Sequence, residues 1–298
     1  MTNPGREVAV IGLGIMGGPM AVNLVKAGYD VIGYNRSVAK VQALVERGGR
    51  AASTIADAVG AADVVVTVLP DSPDVEEVAE GHDGLFDSAK PGTIWIDFST
   101  IRPDVSQRLA SAARARGIRA IDAPVSGGEP GAIEGTLSIM VGGEAADFDA
   151  AKPVLEAVGS TIVHVGPAGA GQTVKAANQL LVAGIIELVA EALVFIDAHG
   201  VDTDAAIRVL SGGLAGNRIL ERKAPSMVAR VYKPGFRVDL HHKDLGILIA
   251  AAREAGVAIP LGALTAQLMG ALRAQGYGDL DHSALHLLVE TLSGRRPA

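Results

Sequence analysis

The sequence predicts an α/β protein: a doubly wound sheet domain followed by an all-α domain, with one long helix joining the two. Three observations carry this prediction. Up to about residue 165, short Val/Ile-rich runs alternate with amphipathic helical segments, the pattern of βαβ units on a parallel sheet. The first run leads into Gly12, Gly14 and Gly17 in the spacing G-x-G-x-x-G, at the start of a helical segment. After Gly166 the strand signal stops, and everything to the C-terminus reads as helix.

The predicted strands are "EVAVIG", "YDVIGYN", "DVVVTVL", "GTIWIDF" and "IRAIDAP", followed by "TLSIMVGG" and "STIVHVG" around a helix at "FDAAKPVLEAVG". Between them, "MAVNLVKAG", "VAKVQALVERGG" and "DVSQRLASAARARG" read as helices closed by glycine, a common helix C-terminus. The long helix runs over 172–198. It is followed by "DTDAAIRVLSGG", "NRILERKAPSMVAR", "KDLGILIAAAREAG", "PLGALTAQLMGALRAQG" and "SALHLLVETL". The expected division is therefore 1–166 for the sheet domain and 167–298 for the helical one.

A chain of 298 residues with 49% hydrophobic content buries a substantial core. Its 33 acidic and 26 basic residues give a net charge of -7. That balance argues against a nucleic-acid surface, and no polybasic run addresses a lipid surface. There is no cysteine, hence no disulfide and no thiolate metal site, and the N-terminus lacks the pattern of a signal peptide. The apolar stretch Leu180–Ile196 is short for a membrane span and holds Glu187 and Glu191. We read it as a core helix and expect a cytoplasmic protein.

The glycine motif gains weight from its context, after a strand and before a helix. There the first glycine makes the tight turn, the second lets backbone approach a pyrophosphate and the third packs helix on strand. This is a Rossmann-type dinucleotide site, with Leu13, Ile15 and Met16 in the same loop. At the end of the second strand, where an NAD enzyme usually carries an acid for the ribose hydroxyls, the chain has Asn35, Arg36 and Ser37. An amide, a guanidinium and a hydroxyl suit a 2′-phosphate, so NADP is the expected cofactor, with NAD still possible. An arginine merely solvated at a strand end is the competing reading. Leu69–Pro70 and Ser99–Thr100, at two further strand ends, should also meet the cofactor.

Ser126, Gly127 and Gly128 follow the fifth strand. Consecutive N–H groups beside a hydroxyl suit a carboxylate, although a plain glycine turn accounts for them equally. Lys175 opens a segment whose only charges from Ala176 to Ile196 are Glu187 and Glu191, so that segment should be buried over most of its length. Read alone, Lys175 fits a snorkelling lysine. With Asn178 three residues on and Gln179 one step round, beside an anion-binding turn, it also fits a reduction site. Hydride delivery to an aldehyde leaves negative charge on oxygen, which a positioned ammonium stabilises and protonates.

"GLGIMG", "DAPVSGGEPGAIEGTLSIMVGG", "GAGQTVKAANQ" and "HHKDL", in this order and over essentially the whole chain, resemble the β-hydroxyacid dehydrogenase family. The resemblance implies an enzyme whose glycine loop holds the dinucleotide and whose Ser126–Gly128 turn holds the substrate carboxylate. It further implies Lys175 as catalytic acid/base, Asn178 as an orienting amide, and Lys243 near the nicotinamide. "GGLAGN", "KPGFRVDLH" and "GDLDHSAL" point within the family to reduction of tartronate semialdehyde, with 3-hydroxyisobutyrate and succinic semialdehyde as alternatives. Close members carry an acid where this chain has Asn35, which departs from an NAD preference.

His241 and His242 are adjacent and so point apart on a helix, and no H-E-x-x-H occurs; no metal is expected. A non-enzymatic dinucleotide-binding module, or an imine reductase of similar architecture, would be favoured had the helix lysine been missing. The apolar helical half should associate into a homodimer or homotetramer.

Overall fold

The computed structural model describes residues 6–295. Its sheet is built from β1 (Glu7–Ile11), β2 (Asp30–Tyr34), β3 (Arg50–Ala51), β4 (Val64–Thr67), β5 (Ile94–Asp97), β6 (Arg119–Asp122), β7 (Val125–Ser126), β8 (Leu137–Gly142) and β9 (Gly159–Gly166). The order is β3-β2-β1-β4-β5-β6-β8-β7, with β9 also on β8. From β3 to β6 all neighbours are parallel. β8 then runs antiparallel to β6 and β7 and parallel to β9.

The strands are continuous apolar runs because both faces of the sheet are covered. Alternate residues point to opposite faces. Val8, Val10, Val64, Val66, Ile94 and Ile96 pack with Met20, Leu24, Val154 and Leu155. Ala9, Ile11, Val65 and Trp95 pack on the other side with Leu85, Phe86 and Leu109. The strand order reverses between β1 and β4, and at such a switch point open α/β sheets bind ligands beyond the strands' carboxyl ends. β3 and β7 have two residues each, too few to carry an apolar signal.

The second half is helical: Ala170–Ala198, Thr203–Gly212, Arg218–Val228, Val238–Glu254, Pro260–Leu272 and Leu285–Leu292. Side chains cap two of these as the sequence allows, Asp202 accepting from Ala205 N and Asn217 from Ile219 N and Leu220 N. Ala183, Ile186, Ala190 and Leu193 of the long helix join Leu220, Met227, Leu245, Met269 and Leu285 in one core. Strand structure ends at Gly166, where the sequence divides the chain. By contacts, two compact units meet between Lys175 and Ala176, inside the long helix.

Two features of that helix depart from expectation. At 29 residues it is long and apolar enough to cross a membrane by length and composition, so its buried face, not its length, marks it as a core helix. Nor is it buried all round. Val174, Leu181, Leu188 and Phe195, seven residues apart, are 39%, 64%, 62% and 66% exposed. Counting charges along a helix shows its polarity but not where neighbours lie.

Glu187, on the same helix, is buried, and its Oε2 has no hydrogen-bond partner among the described residues. Burial, helped by Glu191, pushes its carboxyl up to about 7. The folded chain thus favours the neutral acid, and stability is lost as pH rises from the ordinary carboxylate range through about 7. Glu187→Gln should raise stability at pH 8 by up to ~3 kcal/mol, since each tenfold change in proton affinity is worth about 1.4 kcal/mol, and give no gain near pH 4. Urea unfolding at the two pH values checks this; an equal effect at both would contradict it.

Candidate active site

The glycine loop shows why each glycine is there. Gly12 has φ 98° and its N–H donates to Tyr34 O, at 3.0 Å, tying the loop to β2. A Cβ on Gly12 would overlap Val68 O, and one on Gly17 would overlap Gly12 O. A Cβ on Gly14 meets no atom of the described residues within 4 Å beyond its own chain neighbours, which leaves the room that a backbone approach to pyrophosphate requires. Leu13 is buried and Ile15 is exposed, with Met16 half-buried just before the Gly17–Lys26 helix.

Asn35 Oδ1 accepts the Leu13 N–H at 3.0 Å. The amide that replaces the usual acid therefore braces the glycine loop. Arg36 is exposed and its guanidinium lies 3.4 Å from Asp74, a partner that nothing in the sequence pattern singles out. Ser37 precedes the Val38–Val45 helix but its hydroxyl does not cap it. These three residues surround the end of β2 with one cation and no carboxylate of their own.

At the next strand ends, Leu69 N donates to Ser99 Oγ at 2.9 Å, with Pro70 exposed beside it. Ser99 N donates to Asp97 Oδ1 at 3.1 Å. Thr67 Oγ1 donates to the same oxygen at 2.7 Å and receives the Trp95 indole N–H at 2.9 Å. Burial pushes Asp97 up to about 6, against the pull of Ser99 and Thr67. Thr100 lies between Ser99 and Ile101, and both neighbours bond to Gln172: Gln172 Nε2 donates to Ser99 O at 2.8 Å and Ile101 N to Gln172 Oε1 at 3.1 Å.

Lys175 is 7% exposed, and its Nζ donates to Val125 O at 2.7 Å. This explains how a lysine opens an apolar helix: its ammonium is held on the backbone of β7, not in bulk water. Ser126, expected in a turn, is extended in β7 and pairs with Ser138. The turn starts one residue later, at Gly127 (φ 142°) and Gly128 (φ 65°), leading into the Gly128–Glu134 helix. The ammonium and the Ser126–Gly128 segment are thus neighbours through Val125.

Within the helical unit, Asn178 Nδ2 donates to Gln179 Oε1 at 2.8 Å, and Gln179 Nε2 to Asp244 Oδ2 at 2.6 Å. The Lys243 ammonium is 2.9 Å from Asp244 Oδ1. Asp244, the acid of the "HHKDL" motif to which the sequence alone assigns no role, joins the amide pair to Lys243. Gln179 is buried and turned to Asp244, so of the two amides Asn178 is the more accessible. His241 faces His282, with 3.0 Å between their Nδ1 atoms. Among the described residues no three of His, Cys, Asp and Glu cluster as metal ligands.

A parallel sheet with an open glycine loop at its switch point, and a buried lysine beside a small-residue turn, define a dinucleotide-dependent oxidoreductase. The comparisons agree. Residues 7–166 match the NAD-binding domain of 6-phosphogluconate dehydrogenase. Residues 169–289 match the NAD-binding domain of NADP-dependent 3-hydroxyisobutyrate dehydrogenase. The 2-hydroxy-3-oxopropionate reductase of Escherichia coli K12 is 40% identical over 98% of this chain and 100% of its own length. An NAD-dependent L-serine dehydrogenase of Pseudomonas aeruginosa is 39% identical over 97% and 100%. Mycobacterium tuberculosis 3-hydroxyisobutyrate dehydrogenase, solved with L-serine, superposes with a TM-score of 0.88 at 34% identity, covering 96% of this chain and 99% of that one. The chain belongs to the β-hydroxyacid dehydrogenase family and is an NAD(P)-dependent oxidoreductase.

Proposed function

We propose that the enzyme reduces tartronate semialdehyde (2-hydroxy-3-oxopropionate) to glycerate with NADPH, Lys175 giving the proton. The observation that carries this reading is the buried Lys175 ammonium, 2.7 Å from the carbonyl of Val125, which is followed in the chain by Ser126 and the Gly127–Gly128 turn. The turn takes the substrate carboxylate through its N–H groups and the Ser126 hydroxyl. Lys175 stabilises the charge that develops on the aldehyde oxygen and protonates it to the product hydroxyl. Asn178 orients the substrate, steadied by Gln179, and Lys243 takes the part beside the nicotinamide that the family resemblance implies for it. The reduced dinucleotide, when bound, supplies the hydride.

Gly12 to Gly17, Leu69, Pro70 and Thr100 hold that cofactor, and Arg36 selects its 2′-phosphate. The relatives' names leave the preference open, since one model is of an NADP-dependent enzyme and one relative is NAD-dependent. What favours NADPH is this chain's own strand end, with Arg36 exposed and Asn35 occupied with the glycine loop. The substrate assignment rests on the motifs "GGLAGN", "KPGFRVDLH" and "GDLDHSAL" together with the likeness to the E. coli reductase. Initial rates over a panel of semialdehyde acids, including succinic semialdehyde, and in reverse with 3-hydroxyisobutyrate, test it.

The exposed apolar stripe Val174, Leu181, Leu188 and Phe195 supports association of the helical half into a homodimer or homotetramer. Light scattering at micromolar concentration should give a mass of at least twice 30.4 kDa. A monomer there would contradict it.

A further inference from the structure

Residue 172 is gripped from two sides, and the partners on each side are distant in sequence. Asp122, the last residue of β6, accepts Gly169 N–H on Oδ1 at 2.7 Å and Gln172 N–H on Oδ2 at 2.9 Å. One buried carboxylate thus ties the start of the long helix to the sheet. The fit is close: a Cβ on Gly142 would overlap Asp122 Oδ1, and one on Gly171 would come within 2.7 Å of Oδ2. The side chain of Gln172, 1% exposed, bridges Ser99 O and Ile101 N on either side of Thr100.

Lys175 follows Gln172 by three residues, slightly less than one helical turn. Its ammonium returns to Val125, three residues after Asp122. The segment Asp122–Val125 therefore holds the helix at two points, through the Asp122 carboxylate and the Val125 carbonyl. Gln172 links that ring to the strand end expected to meet the cofactor. We infer that Asp122 and Gln172 are positioning residues: together they set the place of the Lys175 ammonium relative to the Ser99–Ile101 strand end. This rests on the reading of Lys175 as the proton donor.

Acid–base catalysis is sensitive to such placement, since about 1 Å of displacement caused by a remote change can cost on the order of a hundredfold in rate. Asp122→Asn keeps the size of the side chain but turns one acceptor into a donor facing an N–H. Gln172→Ala removes both links to the Ser99–Ile101 segment. Each should lower kcat for semialdehyde reduction roughly 10- to 100-fold, with the dinucleotide dissociation constant, read by fluorescence titration, within about threefold of wild type.

The deciding measurement is a double-mutant cycle with Lys175→Ala. In that background either substitution should cost less than about threefold, because there is no ammonium left to misplace. Full additivity would show that Asp122 and Gln172 support the fold rather than the lysine, and would overturn the inference, as would wild-type turnover in both single variants. Near-normal turnover of Lys175→Ala itself would remove the reading on which the inference rests, and the inference with it. Should Asp122→Asn not fold, the cycle with Gln172→Ala decides alone, because that side chain makes no bond to Asp122.

Discussion

Lys175→Ala should lower the turnover number for semialdehyde reduction at least about a hundredfold, and leave dinucleotide binding nearly unchanged. Positioned acid–base catalysis contributes on the order of 10²–10⁴ in rate, and loss of electrostatic stabilisation at the oxygen adds to this. The dinucleotide's phosphates and adenosine are assigned to the glycine loop and the end of β2, where Gly12 and Asn35 are fixed by bonds that do not involve the lysine. The loss should therefore appear in kcat and not in cofactor affinity. Lys175→Arg should not restore turnover, because a guanidinium keeps its proton near neutrality and is longer and planar. The Val125 carbonyl, 2.7 Å from Nζ, is placed for a compact ammonium. Steady-state assays with saturating dinucleotide measure the first effect and fluorescence titration the second. Near-normal turnover in the alanine variant would return Lys175 to the part of a snorkelling helix residue.

Arg36→Ala should raise the Michaelis constant for NADPH by roughly 10- to 100-fold, the factor that corresponds to ~1.5–3 kcal/mol for a hydrogen bond to a charged group. The constant for NADH should change by less than about threefold, since the 2′-hydroxyl it carries asks nothing of a cation. Arg36 can move to the phosphate because its bond to Asp74 is long and exposed, at 3.4 Å with 80% of the arginine side chain accessible; such surface pairs hold little energy. A wild-type enzyme that uses NADH better than NADPH would show that Arg36 is only a solvated arginine at a strand end.

Much of the fold is legible in the sequence because its strands are uninterrupted apolar runs between glycine-closed helices. "VAVIG", "VVVTV" and "IWID" read as strands since both sheet faces bury them. The glycine loop is legible because positions 12 and 17 permit no other residue in this backbone. Elements that depend on one or two partners across the fold leave no local trace. β3 and β7 exist through pairing with β2 and β8, so Ser126 reads locally as a turn residue. Asp74 acts on Arg36, distant in sequence, and no spacing rule points to it; Asp244 stands in "HHKDL", but nothing local shows its bond to Gln179. Asp97 and Asp122 do leave a signal: each ends an apolar strand with a carboxylate, and the two face each other across β5 and β6. A charge at that point of a buried strand is a polar group in need of partners. A search for those partners leads to Ser99, Gln172 and the start of the lysine helix.

Reduction of a carboxylate-bearing semialdehyde at this site, at the expense of NADPH, is tested most directly by initial rates. Dinucleotide oxidation is followed with tartronate semialdehyde and succinic semialdehyde, each with NADPH and NADH, and dinucleotide reduction with 3-hydroxyisobutyrate. We expect the highest kcat/KM for tartronate semialdehyde with NADPH. Higher kcat/KM with another member of the panel would move the substrate assignment, and no turnover of any of them with either dinucleotide would contradict the assigned chemistry as a whole.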